Sequence, residues 1–260
     1  MDFIITTPNS SGCSVEKKYL VIIPTYNEEP NIEYLVDLVL DQSQQLDILF
    51  VDDKSQDKTL EKIKLCQVKY PGSIHVMVRA GKLGLGSAYV EGFQWGLERK
   101  SYSYFIEMDA DLSHNPIYLK DIFALLEHTK VVVGSRYIKG GGTENWNFLR
   151  KFISRLGSFY AKAILKIDIY DLTGGFNAWE RQVLESIGLD KIHSDGYVFQ
   201  IELKYRALLA GFCAKEFPIV FVERRAGLSK MSINIVLEAI YKVVLLRFFR
   251  KKILTEIKAR

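Results

Sequence analysis

Two carboxylates separated by one small residue, Asp109-Ala110-Asp111, follow directly on the apolar and aromatic run Tyr104 to Met108. So spaced at a strand end, they can coordinate one hard divalent cation, with phosphate oxygens and water completing the shell of Mg²⁺ or Mn²⁺. The chemistry that such a cation serves is neutralisation of a departing diphosphate. Isolated Asp-x-Asp pairs also occur in solvated turns, so it is the position after a buried strand that favours the metal. A second acidic cluster, Asp52-Asp53-Lys54-Ser55-Gln56-Asp57, closes another apolar run. Ser55 or Asp57 reads as a helix N-cap. Asp52 and Asp53 precede that cap and are left to accept hydrogen bonds from the N–H groups of a base or from a ribose hydroxyl.

Other chemistries fit less well. Gly81-Lys82-Leu83-Gly84-Leu85-Gly86 has neither the Gly-Lys-Ser/Thr ending of a nucleotide-triphosphate loop nor dinucleotide-fold spacing, so it reads as a tight strand-to-helix turn. The four histidines show no metal-ligand spacing, and no serine lies in a nucleophile turn. Cys13, Cys66 and Cys213 are far apart and suggest neither zinc nor a disulfide framework, which points to a reducing compartment.

The elements that must hold these residues are legible as alternating short apolar and longer amphipathic runs. "YLVIIP", "DILFVDD", "HVMVRA", "YFIEMDAD" and "KVVVGSRY" read as buried strands separated by helix-length segments, the pattern of a parallel α/β sheet with crossover helices. Ligands of such sheets sit beyond the C-terminal strand ends. That rule singles out Pro24 to Glu28, Asp52, Asp53, Asp109, Asp111, Ser135 and Arg136. After a turn-rich stretch, "DLTGGFNAW", the pattern predicts a helix around Val198 to Ala210, two short strands around Cys213 to Val222 and a final helix from about Ser232.

The formal charge of +4 hides a segregation. Residues 224–260 hold ten Lys/Arg against two Glu, leaving a net −4 on the rest. A basic end on a mildly acidic body suits an anionic membrane surface. The segment Trp146 to Ile167 projects as a basic amphipathic helix. Trp146, Leu149, Phe152, Ile153, Leu156, Tyr160, Ala163, Ile164 and Ile167 share its apolar face, opposite Lys151, Arg155, Lys162 and Lys166. Such a helix is either packed on a core or laid in a membrane interface. Arg150 projects near the edge of the apolar face. Residues 1–18 read as a flexible tail without signal-peptide character. The final helix is interrupted by Glu238, Lys242 and Arg247, too charged for the ~20 apolar residues of a span.

The segments "IIPTYNEEPNI", "VDDKSQDKT", "GLGSAYVEGF", "MDADLSHNP", "VVGSRYIKGGG", "RKFISRLGS", "DLTGGFNAW", "GYVFQIEL" and "VERRAGLSKM" occur in one order over Tyr19 to Val236. Together they resemble the dolichol-phosphate mannosyltransferases, polyprenyl-phosphate mannose synthases among the inverting family 2 glycosyltransferases. The resemblance implies a GT-A fold, a Rossmann-like, mostly parallel sheet flanked by helices, over residues 19–231. It includes the interface helix 146–167 and is followed by a basic amphipathic helix over 232–260. The implied reaction transfers mannose from GDP-mannose to a dolichyl or polyprenyl phosphate.

In the same resemblance Pro24, Tyr26, Glu28, Val51 and Asp53 surround the nucleotide, and Asp109, Ala110 and Asp111 hold the metal and diphosphate. Arg136, Arg224 and Lys230 contact phosphate groups, and Arg150 is a further acceptor-phosphate contact. Ser113 stands where the family often has Gln, so it is the third candidate side chain on the metal. Lys54 and Lys58 replace family glycines. The implied partners are the donor, the lipid acceptor, a membrane surface met peripherally from its cytoplasmic face, and, as in some relatives, small membrane subunits. The alternative within the same fold is another donor such as UDP-glucose. A nucleic-acid-binding protein is disfavoured because the basic residues lie beside apolar helices and no base-stacking motif is present.

Overall fold

A computed structural model describes residues 18–192, 194–223 and 233–259. In chain order the elements are β1 (Lys18–Thr25), α1 (Ile32–Leu40), β2 (Leu46–Asp52), α2 (Thr59–Lys69), β3 (Ile74–Val78), α3 (Leu85–Leu97), β4 (Tyr102–Glu107), α4 (Leu119–Leu126) and β5 (Val131–Ser135). There follow β6 (Gly142–Glu144), α5 (Phe148–Leu165), β7 (Asn177–Glu180), α6 (Arg181–Ser186), α7 (Gly196–Leu209), β8 (Ala214–Pro218), β9 (Val220–Val222), α8 (Ile233–Phe248) and α9 (Arg250–Lys258).

Strands β3-β2-β1-β4-β7-β5-β8 form one seven-stranded sheet. All neighbours are parallel except β7, which runs antiparallel between β4 and β5. Successive residues of the central strands point to opposite faces. Leu20, Ile22, Leu49 and Val51 pack towards α3 and α7, while Val21, Ile23, Ile48 and Phe50 pack towards α1 and α4. Both faces are therefore buried, which is why these strands read as unbroken apolar runs. The strand order reverses at β1, between β2 and β4, and the crevice beyond their C-terminal ends is where such a sheet binds ligands. A separate two-stranded ribbon, β6 with β9, lies next to the loop after β4, since Val222 N donates to Ser113 O (3.4 Å).

The mostly parallel α/β sheet is as the sequence predicts; several boundaries differ. Lys18 opens β1 and is not part of a tail, and the remainder of that tail lies outside the described residues. The expected interface helix is shorter than 146–167: Asn147 caps it by accepting from Arg150 N (2.8 Å), and Lys166 ends it in the left-handed region. The single expected C-terminal helix is two, because Phe249 leaves helical geometry between α8 and α9. No helix among the described residues is long and apolar enough to cross a membrane.

Candidate active site

The loop after β1 and the loop after β2 form one wall of the crevice, stitched by main-chain donors. Asn27 N donates to Ser55 Oγ (2.9 Å), Gln56 N to Asn27 Oδ1 (2.8 Å) and Glu28 N to Thr59 Oγ1 (2.8 Å). Pro24 and Val51 are register partners at the ends of these strands. The Val51 side chain is fully buried in the core, so only its main chain can meet a ligand. The Glu28 carboxylate accepts from Asn31 Nδ2 (2.9 Å). The exposed Tyr26 ring stands under Lys82, whose Nζ is 4.3 Å from the ring centre.

The two neighbouring aspartates at the end of β2 have different roles. Asp52 is not left open to a ligand: it is fully buried and accepts from Thr25 Oγ1 (2.9 Å), Ser55 Oγ (2.6 Å) and Ser55 N (2.9 Å). It holds the turn. Asp53 lies at the crevice and is paired with Arg79, with Nη1 2.6 Å from its Oδ1. Burial raises the Asp53 carboxyl above its ordinary range even against the pull of Arg79. Arg79, buried and unremarked in the sequence, also donates to Gly84 O (3.1 Å) and Ser87 Oγ (2.5 Å) and so ties Asp53 to the start of α3.

That helix start is already occupied by a carboxylate of the chain itself. Asp195 Oδ1 accepts from Gly86 N (2.6 Å), placing an internal carboxylate where an anion would sit. Gly84 is required there: its φ is +104° and a Cβ would lie 2.2 Å from Asp195 Oδ2. The glycine-rich segment is a strand-to-helix turn.

Beyond β4, Asp109 and Asp111 are half-buried at the crevice floor, with Ala110 buried between them. Ser113 N donates to Asp111 Oδ1 (3.1 Å), a turn made possible by Leu112 at φ +62°. Below lies His114, a residue whose spacing gave no sign of a role. It is buried, stacked on Phe176 (4.9 Å between ring centres), and its Nδ1 accepts from Asp109 N (3.1 Å). Burial lowers the His114 pKa, consistent with a neutral ring whose Nδ1 is an acceptor.

Among the described residues no three His, Cys, Asp or Glu side chains group as a closed metal cage. Two carboxylates on an open crevice instead fit a hard cation that takes its other ligands from phosphate and water. The Ser113 hydroxyl is buried beside them without a hydrogen-bond partner, which is consistent with a third oxygen donor.

At the end of β5, Arg136 is buried and gripped by the fully buried Asp171. Nε donates to Asp171 Oδ2 (2.7 Å), Nη2 to Asp171 Oδ1 (2.7 Å), and the Arg136 main-chain N to Oδ2 (3.0 Å). Nη2 also donates to Thr173 Oγ1 (2.9 Å). Burial opposes the charge, but Asp171 more than compensates and the Arg136 pKa is raised; Asp171 is lowered, its own burial outweighed by Arg136. Trp146, Tyr137 and Phe221 surround the guanidinium, with ring centres 5.5, 5.1 and 5.8 Å from its carbon. Arg150 stacks on the same Trp146 (4.1 Å) and pairs with Glu223. Arg136 and Arg150 thus share one indole. Arg224 and Lys230 lie outside the described residues.

Helix α5 shows a face that the sequence could not orient. Its buried side is Ser158, Ala161 and Leu165. Phe148, Leu149, Phe152, Leu156 and Phe159 are each more than half exposed. At ~100° per residue they fall on one arc of about 100°. Lys151 and Arg155 flank that arc, also exposed. Of the expected apolar face, Trp146 is buried outside the helix, and Ile153, Tyr160 and Ile164 are half-buried. Tyr160 OH donates to Ile240 O of α8 (3.1 Å). A cavity of about 70 Å³ opens between α5, α7 and α8. Ile153, Gly157, Ile201 and Val243 line it, together with Tyr197 and Thr173, the hydroxyl that accepts from Arg136.

Residues 20–188 match the Glycosyl transferase family 2 profile. The chain is 43% identical over 228 residues to the polyprenol monophosphomannose synthase of Mycolicibacterium smegmatis, covering 87% of this chain and 86% of the relative. It is 42% identical over 226 residues to the undecaprenyl-phosphate mannosyltransferase of Micrococcus luteus, covering 87% and 92%. Among solved structures it is similar to glucosyl-3-phosphoglycerate synthase from Mycobacterium tuberculosis in complex with Mn²⁺, uridine diphosphate and glucosyl-3-phosphoglycerate. There the TM-score is 0.61 at 16% identity over 95% of this chain and 86% of that one. The same enzyme with Mg²⁺ and uridine diphosphate gives a TM-score of 0.59 at 17% identity, over 90% and 79%. These structural likenesses are likenesses of fold. With its crevice at the β1/β4 switch point and its family profile running from the first strand through α6, the chain belongs to glycosyl transferase family 2.

Proposed function

We propose that this protein transfers mannose from GDP-mannose to a polyprenyl phosphate of the dolichyl type, with inversion at the anomeric carbon, while lying on the cytoplasmic face of a membrane. One observation carries the acceptor assignment. The apolar cavity between α5, α7 and α8 is lined by Thr173, which touches the Arg136 guanidinium, and it lies beside the helix that exposes an aromatic arc to solvent. A phosphate with a long apolar tail needs both features. The names of the relatives at 42–43% identity support the same class.

The nucleotide occupies the wall built from Pro24, Tyr26, Glu28, Val51 and Asp53, with Asp53 receiving the base N–H groups. Asp109 and Asp111, with Ser113, hold Mg²⁺ or Mn²⁺, and Ala110 lines the diphosphate. When bound, the cation supplies neutralisation of the leaving diphosphate. Arg136 offers Nη1, which its bonds to Asp171 and Thr173 do not use, to the acceptor phosphate. Arg150, Arg224 and Lys230 complete the cationic surround.

The acceptor needs little activation. A phosphate monoester with a second pKa near ~6 is largely dianionic at neutral pH. Its oxygen attacks the anomeric carbon as the bond to the diphosphate oxygen breaks, and GDP leaves with that electron pair. The site's task is to hold two repelling anions in line.

The test is incubation of the purified chain with labelled GDP-mannose, a polyprenyl phosphate and Mg²⁺ or Mn²⁺, with UDP-glucose as the competing donor. Lipid-soluble mannose phosphate formed from GDP-mannose alone is the expected result. Transfer from UDP-glucose but not GDP-mannose would overturn the donor assignment. Activity only after adding membrane extract would indicate a dependence on small membrane subunits.

A further inference from the structure

Helix α7 carries a lysine, Lys204, with none of its surface exposed. Burying an ammonium is unfavourable unless it meets strong partners, and a Met or Leu of similar length would fill the same space without that penalty. Its hydrogen-bond partners are two main-chain carbonyls of one turn, Nζ donating to Gly174 O (2.7 Å) and to Leu172 O (3.2 Å), while the buried carboxylates of Asp171 and Glu107 favour its charge. Burial lowers its pKa to about 8. That turn belongs to the "DLTGGFNAW" segment and is otherwise fixed by its own side chains. Gly174 N donates to Asp171 Oδ1 (2.9 Å), and Asn177 Nδ2 donates to Gly174 O (3.1 Å). Gly174 has no room for a side chain that would leave this geometry undisturbed, since a Cβ would sit 3.2 Å from Asp171 Oδ1 and 3.3 Å from Gly134 O.

The consequence lies one bond further on. The carboxylate of Asp171 and the hydroxyl of Thr173, at the start and middle of the turn, are the two groups that grip the Arg136 guanidinium. We propose that Lys204 is a positioning residue for Arg136: it pins the carbonyls of Leu172 and Gly174, and so fixes the turn whose Asp171 and Thr173 aim the guanidinium at the acceptor phosphate. Lys204 touches neither substrate. The assignment of a phosphate to Arg136 rests on the function proposed above.

The experiment compares Lys204→Met, Lys204→Gln, Arg136→Met and the Lys204→Met/Arg136→Met double variant. Mannose transfer is measured with donor and acceptor varied separately, and GDP binding with Mn²⁺ is measured by calorimetry. Lys204→Met is expected to lower kcat/KM for the polyprenyl phosphate about 10- to 100-fold, the range seen when a supporting hydrogen-bond partner is removed from a site, with GDP affinity unchanged within about twofold. Lys204→Gln, which keeps a donor, recovers part of the loss. The double variant is no slower than Arg136→Met, because Lys204 acts through Arg136.

Multiplicative losses in the double variant, or an equal loss of GDP affinity in Lys204→Met, would overturn the proposal and leave Lys204 as packing. If Lys204→Met does not fold, the cycle is run with Lys204→Gln and read by the same criteria. Should the wild type transfer no mannose at all, the functional reading fails. The link from Lys204 to Arg136 is then read from urea midpoints, where additive shifts in the double variant would sink it.

Discussion

Replacing Asp171 by Asn is the sharpest perturbation of the Arg136 end of the site. The carboxylate is fully buried, and both oxygens are used twice: Oδ2 by Arg136 N and Nε, Oδ1 by Arg136 Nη2 and Gly174 N. Asn offers one oxygen and one NH₂ group, so whichever way the amide is turned, two donors face a donor. The guanidinium is then buried without its counter-charge. Removing one partner of a buried pair costs about 3–5 kcal/mol, against a total stability on the order of 5–15 kcal/mol. For a chain of this size that corresponds to a fall in Tm of roughly 6–20 °C.

Urea unfolding of wild type, Asp171→Asn, Arg136→Met and the double variant measures it. The double variant should lose less than the sum of the single losses by about 2–3 kcal/mol, since it no longer buries one charge without the other. A single-variant loss below about 1 kcal/mol, or strict additivity, would refute the claim that Asp171 holds Arg136.

Three further outcomes are expected. Asp111→Ala should lower transfer by several orders of magnitude while leaving Tm within a few degrees, because the role proposed for this half-buried carboxylate is to hold the cation and its structural part is one turn bond; full activity in excess EDTA would remove the metal from the reaction. Phe152→Ser with Phe159→Ser should leave urea stability unchanged and weaken sedimentation with anionic vesicles about 30-fold or more, as two exposed aromatic side chains contribute on the order of 2–4 kcal/mol when they enter the interface. Equal sedimentation would show that the arc meets something other than lipid. For Asp47, burial raises the carboxyl but hydrogen bonds from His75, Lys18 and Tyr102 outweigh it, so its folded pKa is lowered. The stabilisation is therefore present above the unfolded pKa near ~3.9 and lost as pH falls through the lower folded value. Asp47→Asn should cost about 1–3 kcal/mol at pH 7 in urea unfolding, with the gap closing as pH falls through the folded value.

Five strands were legible: β1, β2, β4 and β5 because each is almost wholly buried and so appears as an unbroken apolar run, and the partly exposed edge strand β3 from its apolar residues alone. Strand β7 was not. Its four residues, Asn177 to Glu180, are half polar and sit in a segment rich in turn formers, and what makes them a strand is pairing with β4 and β5, far away in sequence. The Asp109–Asp111 pair proposed to hold the cation was visible as a spacing. The partners of Arg136 and Asp53 were not, because they are distant: Arg79 lies 26 residues from Asp53, and Asp171 lies 35 from Arg136. Helix α7 misleads in another way. Gln200, Glu202, Lys204 and Arg206 alternate with apolar residues and look solvated, yet all four are buried. Glu202 pairs with Arg206 (2.8 Å), and Arg206 reaches Glu256 of α9 (3.1 Å). A helical wheel of α5 separates apolar from basic positions but carries no information on which side meets the protein.

The orientation of α5 bears on how a lipid-linked acceptor is met. Its aromatic arc faces outward while its opposite face is tied to the site: Tyr137 OH, next to Arg136, donates to Ser154 Oγ (2.6 Å), and Arg150 in its first turn shares Trp146 with Arg136. One helix, about 10 Å across, therefore separates the surface proposed to meet a membrane from the guanidinium proposed to hold the phosphate. That is comparable to the depth of a headgroup layer, so a polyprenyl phosphate can reach Arg136 with its tail still in the bilayer. An arrangement in which α5 turned its arc inward would require the lipid to leave the membrane, at about 0.8 kcal/mol for each methylene exposed. On the proposed function the exposed phenylalanines are the counterpart of the buried arginine, since a polyprenyl phosphate has two ends that prefer different solvents.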